Sequence, residues 1–192
     1  MRFMNKRLFI GIPVKSVIAE HETGKWRSNS QLSQNRMSWT KPDNWHITLY
    51  FLGNTLSERI PLLTELIAQS FESVNTFTSE LKEVGVFPNQ QNPKVLWLCL
   101  QTLSPVVNAY QQLGELLKQN GFAFDEKPLK PHLTIARIKS IEKSAAIRSI
   151  QEQYSGFNFG SAAIDRIVLF ESILTQDGPV YKPLFVKTFQ ES

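Results

Sequence analysis

Residues 46–49 (HITL) and residues 132–135 (HLTI) carry the same pattern, His-apolar-Thr-apolar, 86 residues apart. A Lys-Pro pair comes shortly before each copy, at residues 41–42 and 130–131. Each copy opens a predicted strand, which is followed by an amphipathic helix and then by further strands. We therefore predict two copies of one β-α-β-β unit that face each other, because two copies are too few for a solenoid and pack naturally as a closed pseudo-symmetric pair.

The two copies place the same polar side chains on one face of each strand. Residues two apart in a strand point to the same side, so His46 shares a face with Thr48, and His132 shares one with Thr134. The intervening side chains are apolar and belong to the opposite face. If the two units face each other across a pseudo-two-fold axis, both imidazoles and both hydroxyls meet in one cleft.

This set of side chains suits phosphodiester hydrolysis. An imidazole has an ordinary pKa near ~6.5, so one histidine can take a proton from water while the other gives one to a leaving alkoxide. Two threonine hydroxyls can donate hydrogen bonds to a phosphate held between them. Such chemistry needs no metal, cofactor or covalent intermediate. A single His-x-Thr is commonly a pair of surface residues, but two of only three histidines occur in this pattern, which favours the catalytic interpretation.

Composition limits the class of protein. The chain has 192 residues, a formal net charge of +4, 42% hydrophobic residues and 20% charged residues, which is typical of a globular protein. We expect residues 1–192 to form one bilobal domain, since no low-complexity linker divides them. Cys99 is the single cysteine, which excludes an internal disulfide bond and a multi-cysteine zinc site. Two histidines on strands without a third ligand nearby are also a poor zinc site, so we expect no bound metal.

Membrane and secretion signals are weak in this sequence. No apolar run approaches the ~18 residues that a membrane span needs. The apolar residues 8–12 run into Pro13 and predict a first strand rather than a signal peptide. We therefore expect a soluble, cytoplasmic protein that has no membrane partner and no obligate protein partner. A monomer is expected, because the internal duplication already supplies the symmetry that a dimer provides elsewhere.

Alternating helix and strand signals predict an α+β fold in which helices cover one side of antiparallel sheets. The predicted helices cover residues 14–26, 57–71, 104–120 and 140–154, and the predicted strands cover residues 7–12, 45–52, 76–84, 94–101, 130–138, 157–161, 163–174 and 180–188. The strand at 94–101 alternates little, so we expect it to be buried on both faces, with Trp97 in the core. The polar residues 27–44 predict a long flexible loop at a rim, and Trp39 and Trp45 beside it are candidates for stacking on bases.

Five segments resemble one known family of enzymes. They are residues 7–12 (RLFIGI), 46–53 (HITLYFLG), 85–88 (GVFP), 130–137 (KPHLTIAR) and the pair 170–172 and 178–181 (FES and GPVY). With them the chain resembles, over nearly its whole length, the 2H phosphoesterases, which are named for two His-x-Thr-x motifs. The most similar branch is that of the bacterial and archaeal RNA 2′,3′-cyclic phosphodiesterases, also called 2′-5′ RNA ligases (LigT- or ThpR-like).

The resemblance implies a two-lobed α+β fold whose motifs line a central groove. It implies a hydrolase that opens the 2′,3′-cyclic phosphate of an RNA 3′ end, or of a nucleotide, to a 2′-phosphate without a cofactor, and that can run a reversible 2′-5′ ligation. By analogy with the family, His46 is the proton donor to O3′ and His132 is the proton acceptor from water. The pseudo-symmetry of the motifs does not by itself distinguish these two roles.

The fifth residue after each histidine differs between the copies: it is Phe51 in the first and Arg137 in the second. In similar proteins the arginine contacts phosphate and the aromatic ring contacts a base, which suits the chemistry of both groups. Strict strand alternation places these residues on the face opposite the histidines. A bulge or a strand end must therefore redirect them, or they are structural.

Two other functions remain open at this point. The same fold can act on another 2′-linked or cyclic nucleotide, such as a 2′-5′ oligoadenylate or ADP-ribose 1″,2″-cyclic phosphate. The chain can also be a module that binds RNA ends without catalysis, although binding alone does not need two groups that titrate near neutral pH. His21 lies beside the apolar stripe of the first predicted helix, and we expect a helix-edge residue there rather than a ligand.

Overall fold

The computed structural model describes residues 4–126, 128–142, 144–176 and 178–191, which form nine strands and four α-helices. The strands are β1 (Asn5–Pro13), β2 (Arg36–Trp39), β3 (His46–Leu56), β4 (Phe77–Phe87), β5 (Val95–Leu100), β6 (His132–Ser140), β7 (Asn158–Ile164), β8 (Arg166–Thr175) and β9 (Gly178–Thr188). The helices are α1 (Val17–Arg27), α2 (Ile60–Ser70), α3 (Ser104–Gln119) and α4 (Ser144–Gln153). None of these helices is long and apolar enough to cross a lipid bilayer.

All nine strands belong to one antiparallel sheet with a narrow centre. The strand order is β7-β4-β5-β6-β3-β1-β8-β9, and β2 pairs with β6 beside this path. At the centre, β3 and β6 are joined through a single residue pair, Ile47 with Leu133. The sheet therefore has two halves that meet at this seam: the His46 half (β3, β1, β8 and β9) and the His132 half (β6, β5, β4 and β7). The architecture agrees with the predicted α+β class.

Each half of the sheet combines strands from both sequence repeats. The repeated order is present along the chain, as β3-α2-β4-β5 and as β6-α4-β7-β8. In space, β3 pairs with β1, and β1 pairs with β8 from the far end of the chain. Strand β6 pairs instead with β5 from the first repeat. The two repeats are therefore interleaved rather than stacked as separate units.

The helices also pack against strands that belong to the other sequence repeat. Helix α1 packs against β7 and α4 against β4, whereas α2 packs against α3 and contacts β9. Helix α3 also packs on β3, where the Tyr50 hydroxyl donates to the carbonyl of Tyr110 over 2.8 Å. Proline at the start of α3 and the left-handed Gly121 just after it bound this helix, as the sequence predicts.

Four sequence-based expectations are wrong in detail. Residues 27–44 are not one loop, because they contain β2 and two 3₁₀ turns. Strand β5 alternates between buried and half-buried residues, so it is not buried on both faces. Its Trp97 is half-buried on the face that carries His132 instead of lying in the core, and its indole stacks there on Phe87. Trp45 is 4% exposed and belongs to the core, so it has no free face for stacking on a base.

Candidate active site

The seam between β3 and β6 brings the two motifs together. Ile47 and Leu133 are paired there in antiparallel register, and both side chains are fully buried. One step along each strand, the same register sets His46 opposite Thr134 and Thr48 opposite His132. These four side chains share the face opposite the two buried ones. The pseudo-two-fold axis expected from the sequence therefore passes through the Ile47–Leu133 pair.

A cleft of about 620 Å³ opens on this face. His46, Thr48, Thr134 and Arg137 line it, and His132 lies beside it at the register position opposite Thr48. Arg7 on β1 also lines it, and the other lining residues come from the segment around β2 and from the β8–β9 hairpin: Ser38, Trp39, Thr40, Lys41, Asp43, Asn44, Ser172, Leu174, Thr175, Gly178, Pro179, Val180 and Tyr181. The segment and the hairpin are joined by a hydrogen bond of 3.1 Å from the Asn44 side chain to the carbonyl of Pro179.

Both imidazoles are oriented by the same backbone hydrogen bond. The Nδ1 atom of His46 lies 2.7 Å from the carbonyl oxygen of Asn44, and the Nδ1 atom of His132 lies 2.7 Å from the carbonyl oxygen of Lys130. A carbonyl oxygen can only accept, so each Nδ1 carries the hydrogen. In each ring Nε2 is therefore the atom that can accept or donate a proton. The two histidines are equivalent in this respect.

Aromatic side chains surround each imidazole. The ring of His46 lies 4.7 Å from Phe9 and 5.1 Å from Tyr181, centroid to centroid, and Phe170 stacks on Phe9 at 4.9 Å. These three rings come from β1, β9 and β8, so the whole width of the His46 half supports one imidazole.

The His132 half has a smaller aromatic group. The ring of His132 stands perpendicular to Phe87 at 4.9 Å, and Trp97 stacks on Phe87 at 4.9 Å. Two strands, β4 and β5, supply these rings.

One glycine in each half makes room for this packing. A Cβ atom at Gly11 would lie 2.9 Å from the carbonyl oxygen of Ile47 and 3.3 Å from Cδ2 of His46. A Cβ atom at Gly85 would lie 2.0 Å from the nearest atom of the Trp97 ring. Both glycines occur in the segments that resemble the family. The structure supplies the steric reason for them.

Burial sets the protonation state of both histidines. It lowers the pKa of His46 from its ordinary 6.5 to about 4, against the raising effect of the Asn44 hydrogen bond. It also lowers the pKa of His132, against the raising effect of the Lys130 hydrogen bond. The positive charge of Arg137 lowers both values further. Both imidazoles are therefore neutral at pH 7, and an anion bound beside them would raise both pKa values.

A β-bulge in each motif strand decides on which face of the sheet the fifth residue after the histidine lies. Opposite β1, Tyr50 pairs with Ile10 and Thr48 with Gly11, so Leu49 is the extra residue of β3. The same interruption in β6 leaves Ile135 extra, between Thr134 and Ala136. A bulge shifts the alternation of all later residues by one. Phe51 and Arg137 are consequently exposed on the face of the histidines.

The cleft contains functional candidates that the sequence patterns did not indicate. Arg7 on β1 lines it, and its guanidinium carbon lies 4.9 Å from the centroid of the Phe51 ring. Tyr181 lines it from β9. Arg7 and Tyr181 lie in segments that resemble the family, but nothing local distinguishes them from other strand residues. Trp39 does line the cleft, whereas His21 is exposed on α1 beside Glu22.

Comparison with known proteins identifies the family. Residues 19–97 and 102–181 match the model of the LigT like Phosphoesterase family. The chain belongs to this family. It is 32% identical to the RNA 2′,3′-cyclic phosphodiesterase of Archaeoglobus fulgidus, over 94% of this chain and 98% of the relative. It is 30% identical to the protein of the same name from Methanocaldococcus jannaschii, over 92% and 96%.

Solved structures show the same fold. The crystal structure of Escherichia coli LigT in complex with 3′-AMP matches with a TM-score of 0.76 at 24% identity, over 96% of this chain and 98% of that one. A Thermus thermophilus structure matches equally well, with the same TM-score, identity and coverage. The predicted family and fold class of this LigT-like chain are confirmed.

Proposed function

We propose that this LigT-like protein hydrolyses the 2′,3′-cyclic phosphate at RNA 3′ ends to a 2′-phosphate by two-histidine acid–base catalysis. The observation that carries the proposal is the seam register, which sets a histidine opposite a threonine twice around one pseudo-two-fold axis. Relatives that are named RNA 2′,3′-cyclic phosphodiesterases and that align over nearly the whole chain support the substrate class.

The threonines and Arg137 hold the phosphate. Thr48 and Thr134 come from opposite sides of the seam, so their hydroxyls donate to the two non-bridging oxygens of one phosphate group. Arg137 adds guanidinium donors from the same face, and charge-assisted hydrogen bonds are roughly twice as strong as neutral ones. These donors also face the negative charge that develops on phosphorus-bound oxygens in the transition state. Phe51 lies on the same face with an exposed ring.

The histidines move two protons in one turnover. A water oxygen attacks phosphorus while His132 Nε2 accepts its proton. The bond from phosphorus to O3′ breaks, and His46 Nε2 gives its proton to O3′. The products are a free 3′-hydroxyl and a 2′-phosphate, and proton exchange with solvent restores the starting state.

Protonation of His46 depends on the substrate in this mechanism. Its pKa is about 4 before an anion binds, so the ring is neutral at pH 7. A phosphate bound beside the imidazole stabilises the charged form and raises that pKa. The proton donor is therefore created when the anionic substrate binds. A 5′-hydroxyl that replaces the water would give a 2′-5′ phosphodiester by the same steps, which is the ligation that we also propose.

A short RNA that ends in a 2′,3′-cyclic phosphate tests the proposal directly. The purified protein is incubated with it in EDTA, and phosphorus NMR follows the product. We expect a 2′-monophosphate. A 3′-phosphate would show that the bond to O2′ breaks and would contradict the donor geometry.

Absence of turnover would overturn the substrate assignment. A 2′-5′-linked dinucleotide and ADP-ribose 1″,2″-cyclic phosphate, assayed in parallel, would then identify the other substrates considered for this fold. Binding of all of these without turnover of any would indicate a binding module.

A further inference from the structure

Among the residues that the structure describes, more positively than negatively charged side chains line the cleft. Arg7, Lys41 and Arg137 line it together with a single carboxylate, that of Asp43. Within the described ranges, neither Arg7 nor Arg137 forms an ion pair with a carboxylate. The proposed reaction uses one guanidinium, that of Arg137, to hold the reacting phosphate. The cleft thus presents a second guanidinium that the reaction leaves unused.

Arg7 compensates for the difference between the two motifs. Phe51 and Arg137 occupy equivalent positions, each placed on the cleft face by the same bulge. The Arg7 guanidinium lies over the Phe51 ring at 4.9 Å. The cation that the first motif lacks is thus supplied by the neighbouring strand. Contact with the ring face restrains the guanidinium while its planar N–H groups stay available to an anion.

The backbone of Arg7 lies well along β1 from the strand position opposite Thr48. Gly11 is the residue of β1 opposite Thr48, and Arg7 comes four positions earlier in the same strand. At about 3.3 Å per residue this is about 13 Å. On the other side of Arg7, Ser172 and Tyr181 continue the cleft wall. Arg7 stands in the His46 half and Arg137 in the His132 half, so the cleft offers a guanidinium on each side of the seam.

We propose that Arg7, supported by the Phe51 ring, binds the phosphate that joins the terminal nucleotide to its 5′ neighbour. RNA carries such a phosphate at every internal linkage, whereas a nucleoside 2′,3′-cyclic phosphate has none. The enzyme then favours oligonucleotides that end in a cyclic phosphate over the mononucleotide. This inference rests on the proposed function and adds a specificity-determining subsite to it.

The ratio of two specificity constants tests the subsite. We would measure kcat/KM for a dinucleotide that ends in a 2′,3′-cyclic phosphate and for the matching nucleoside 2′,3′-cyclic phosphate. Loss of a hydrogen-bonded charge pair lowers binding about 10- to 100-fold, so Arg7→Gln should lower the ratio of dinucleotide to mononucleotide by that factor. Arg7→Lys should restore part of it. The control is Arg148→Gln, an exposed arginine on α4, which should leave the ratio unchanged.

A dinucleotide with an uncharged methylphosphonate linkage isolates the contact. The unaltered protein should lose the same factor when this linkage replaces the phosphate, and Arg7→Gln should be insensitive to the replacement. If Arg7→Gln lowers both substrates equally, or responds to the linkage like the unaltered protein, the subsite is wrong while the proposed function stands. If the unaltered protein turns over neither substrate, the proposed function fails and the inference fails with it.

Discussion

The His46 half and the His132 half carry the same His-x-Thr element, but different side chains support it in each half. In each half a strand opens with a histidine, its Nδ1 donates to the carbonyl two residues earlier, and a bulge follows the threonine. Around His46 the support is three rings from three strands, whereas around His132 it is two rings from two strands. The two histidines therefore have different surroundings although their motifs are the same.

This difference has a chemical consequence. Denser apolar packing penalises the charged imidazole more, and His46 is the histidine whose pKa falls to about 4. In the mechanism that we propose, the half-buried, neutral His46 becomes an acid only after an anion has bound. The less enclosed His132 takes the role of base in that proposal. The asymmetry of the supports thus agrees with distinct roles for two residues that the motif alone makes equivalent.

Removing either imidazole should have the largest effect. We expect His46→Ala and His132→Ala each to lower kcat by about 10²–10⁴-fold, the usual contribution of a general acid or base, while RNA binding is largely retained. The third histidine offers a matched control, because His21 is exposed on α1 and away from the cleft. His21→Ala should keep full activity. Near-normal turnover in either cleft variant would refute the two-histidine mechanism.

Removing either threonine hydroxyl should have the next largest effect. Thr48→Val and Thr134→Val keep the side-chain shape and remove one donor to the phosphate, for which we expect about 10- to 100-fold lower kcat/KM. The two losses should be similar, since the register makes the positions equivalent. Thr78→Val on β4, where the side chain is exposed, is the control. A loss confined to one threonine would break the symmetry of phosphate binding.

Filling the glycine positions should affect the two halves differently. Gly85→Ala forces the Trp97 ring away from β4, and overpacking of this kind costs about 1–3 kcal/mol. Gly11→Ala pushes instead on a strand carbonyl and on the His46 ring, so it should lower kcat as well as stability. Urea unfolding and kinetic assays measure the two effects. Unchanged stability of Gly85→Ala would mean that the indole has room to move.

The pH dependence of stability should distinguish the two histidines. The pKa of His46 is about 4 when folded against an ordinary 6.5, so between these values the unfolded chain binds more protons. The stabilisation is present above pH 6.5 and lost as the pH falls towards 4, by about 1–3 kcal/mol for a group that is partly exposed. We expect His46→Gln to reduce this loss more than His132→Gln does. The free energy of unfolding in urea, measured from pH 4 to 7, checks the order, and equal slopes would contradict it.

Much of the candidate site could be predicted from the sequence because it rests on local geometry. Strand alternation places His46 with Thr48 and His132 with Thr134, and both pairs do lie on one face of the sheet. The sequence showed that a bulge could bring Arg137 to the face of the histidines. It could not show that the bulge is present. Register shifts depend on the partner strand, and the partners of β3 and β6 are distant in sequence.

The wrong predictions also concern features that depend on contacts between distant parts of the chain. Strand β5 has apolar side chains on both faces, which predicts full burial, yet one face forms the aromatic support of His132. An apolar pattern does not reveal whether a strand face meets the core or a functional side chain. Trp45 stands beside a polar stretch of sequence, yet it belongs to the cluster of buried hydrophobic side chains.

The repeated His-x-Thr pair, the class of fold and the family could be read from the chain alone, because these depend on residue identity and on spacings within single strands. Tertiary structure alone decided which strands are neighbours, how each imidazole is buried, and that Arg7 reaches the ring of Phe51. Those features join residues from distant parts of the chain, and burial by distant residues is what sets the pKa of a histidine. No local periodicity encodes such contacts.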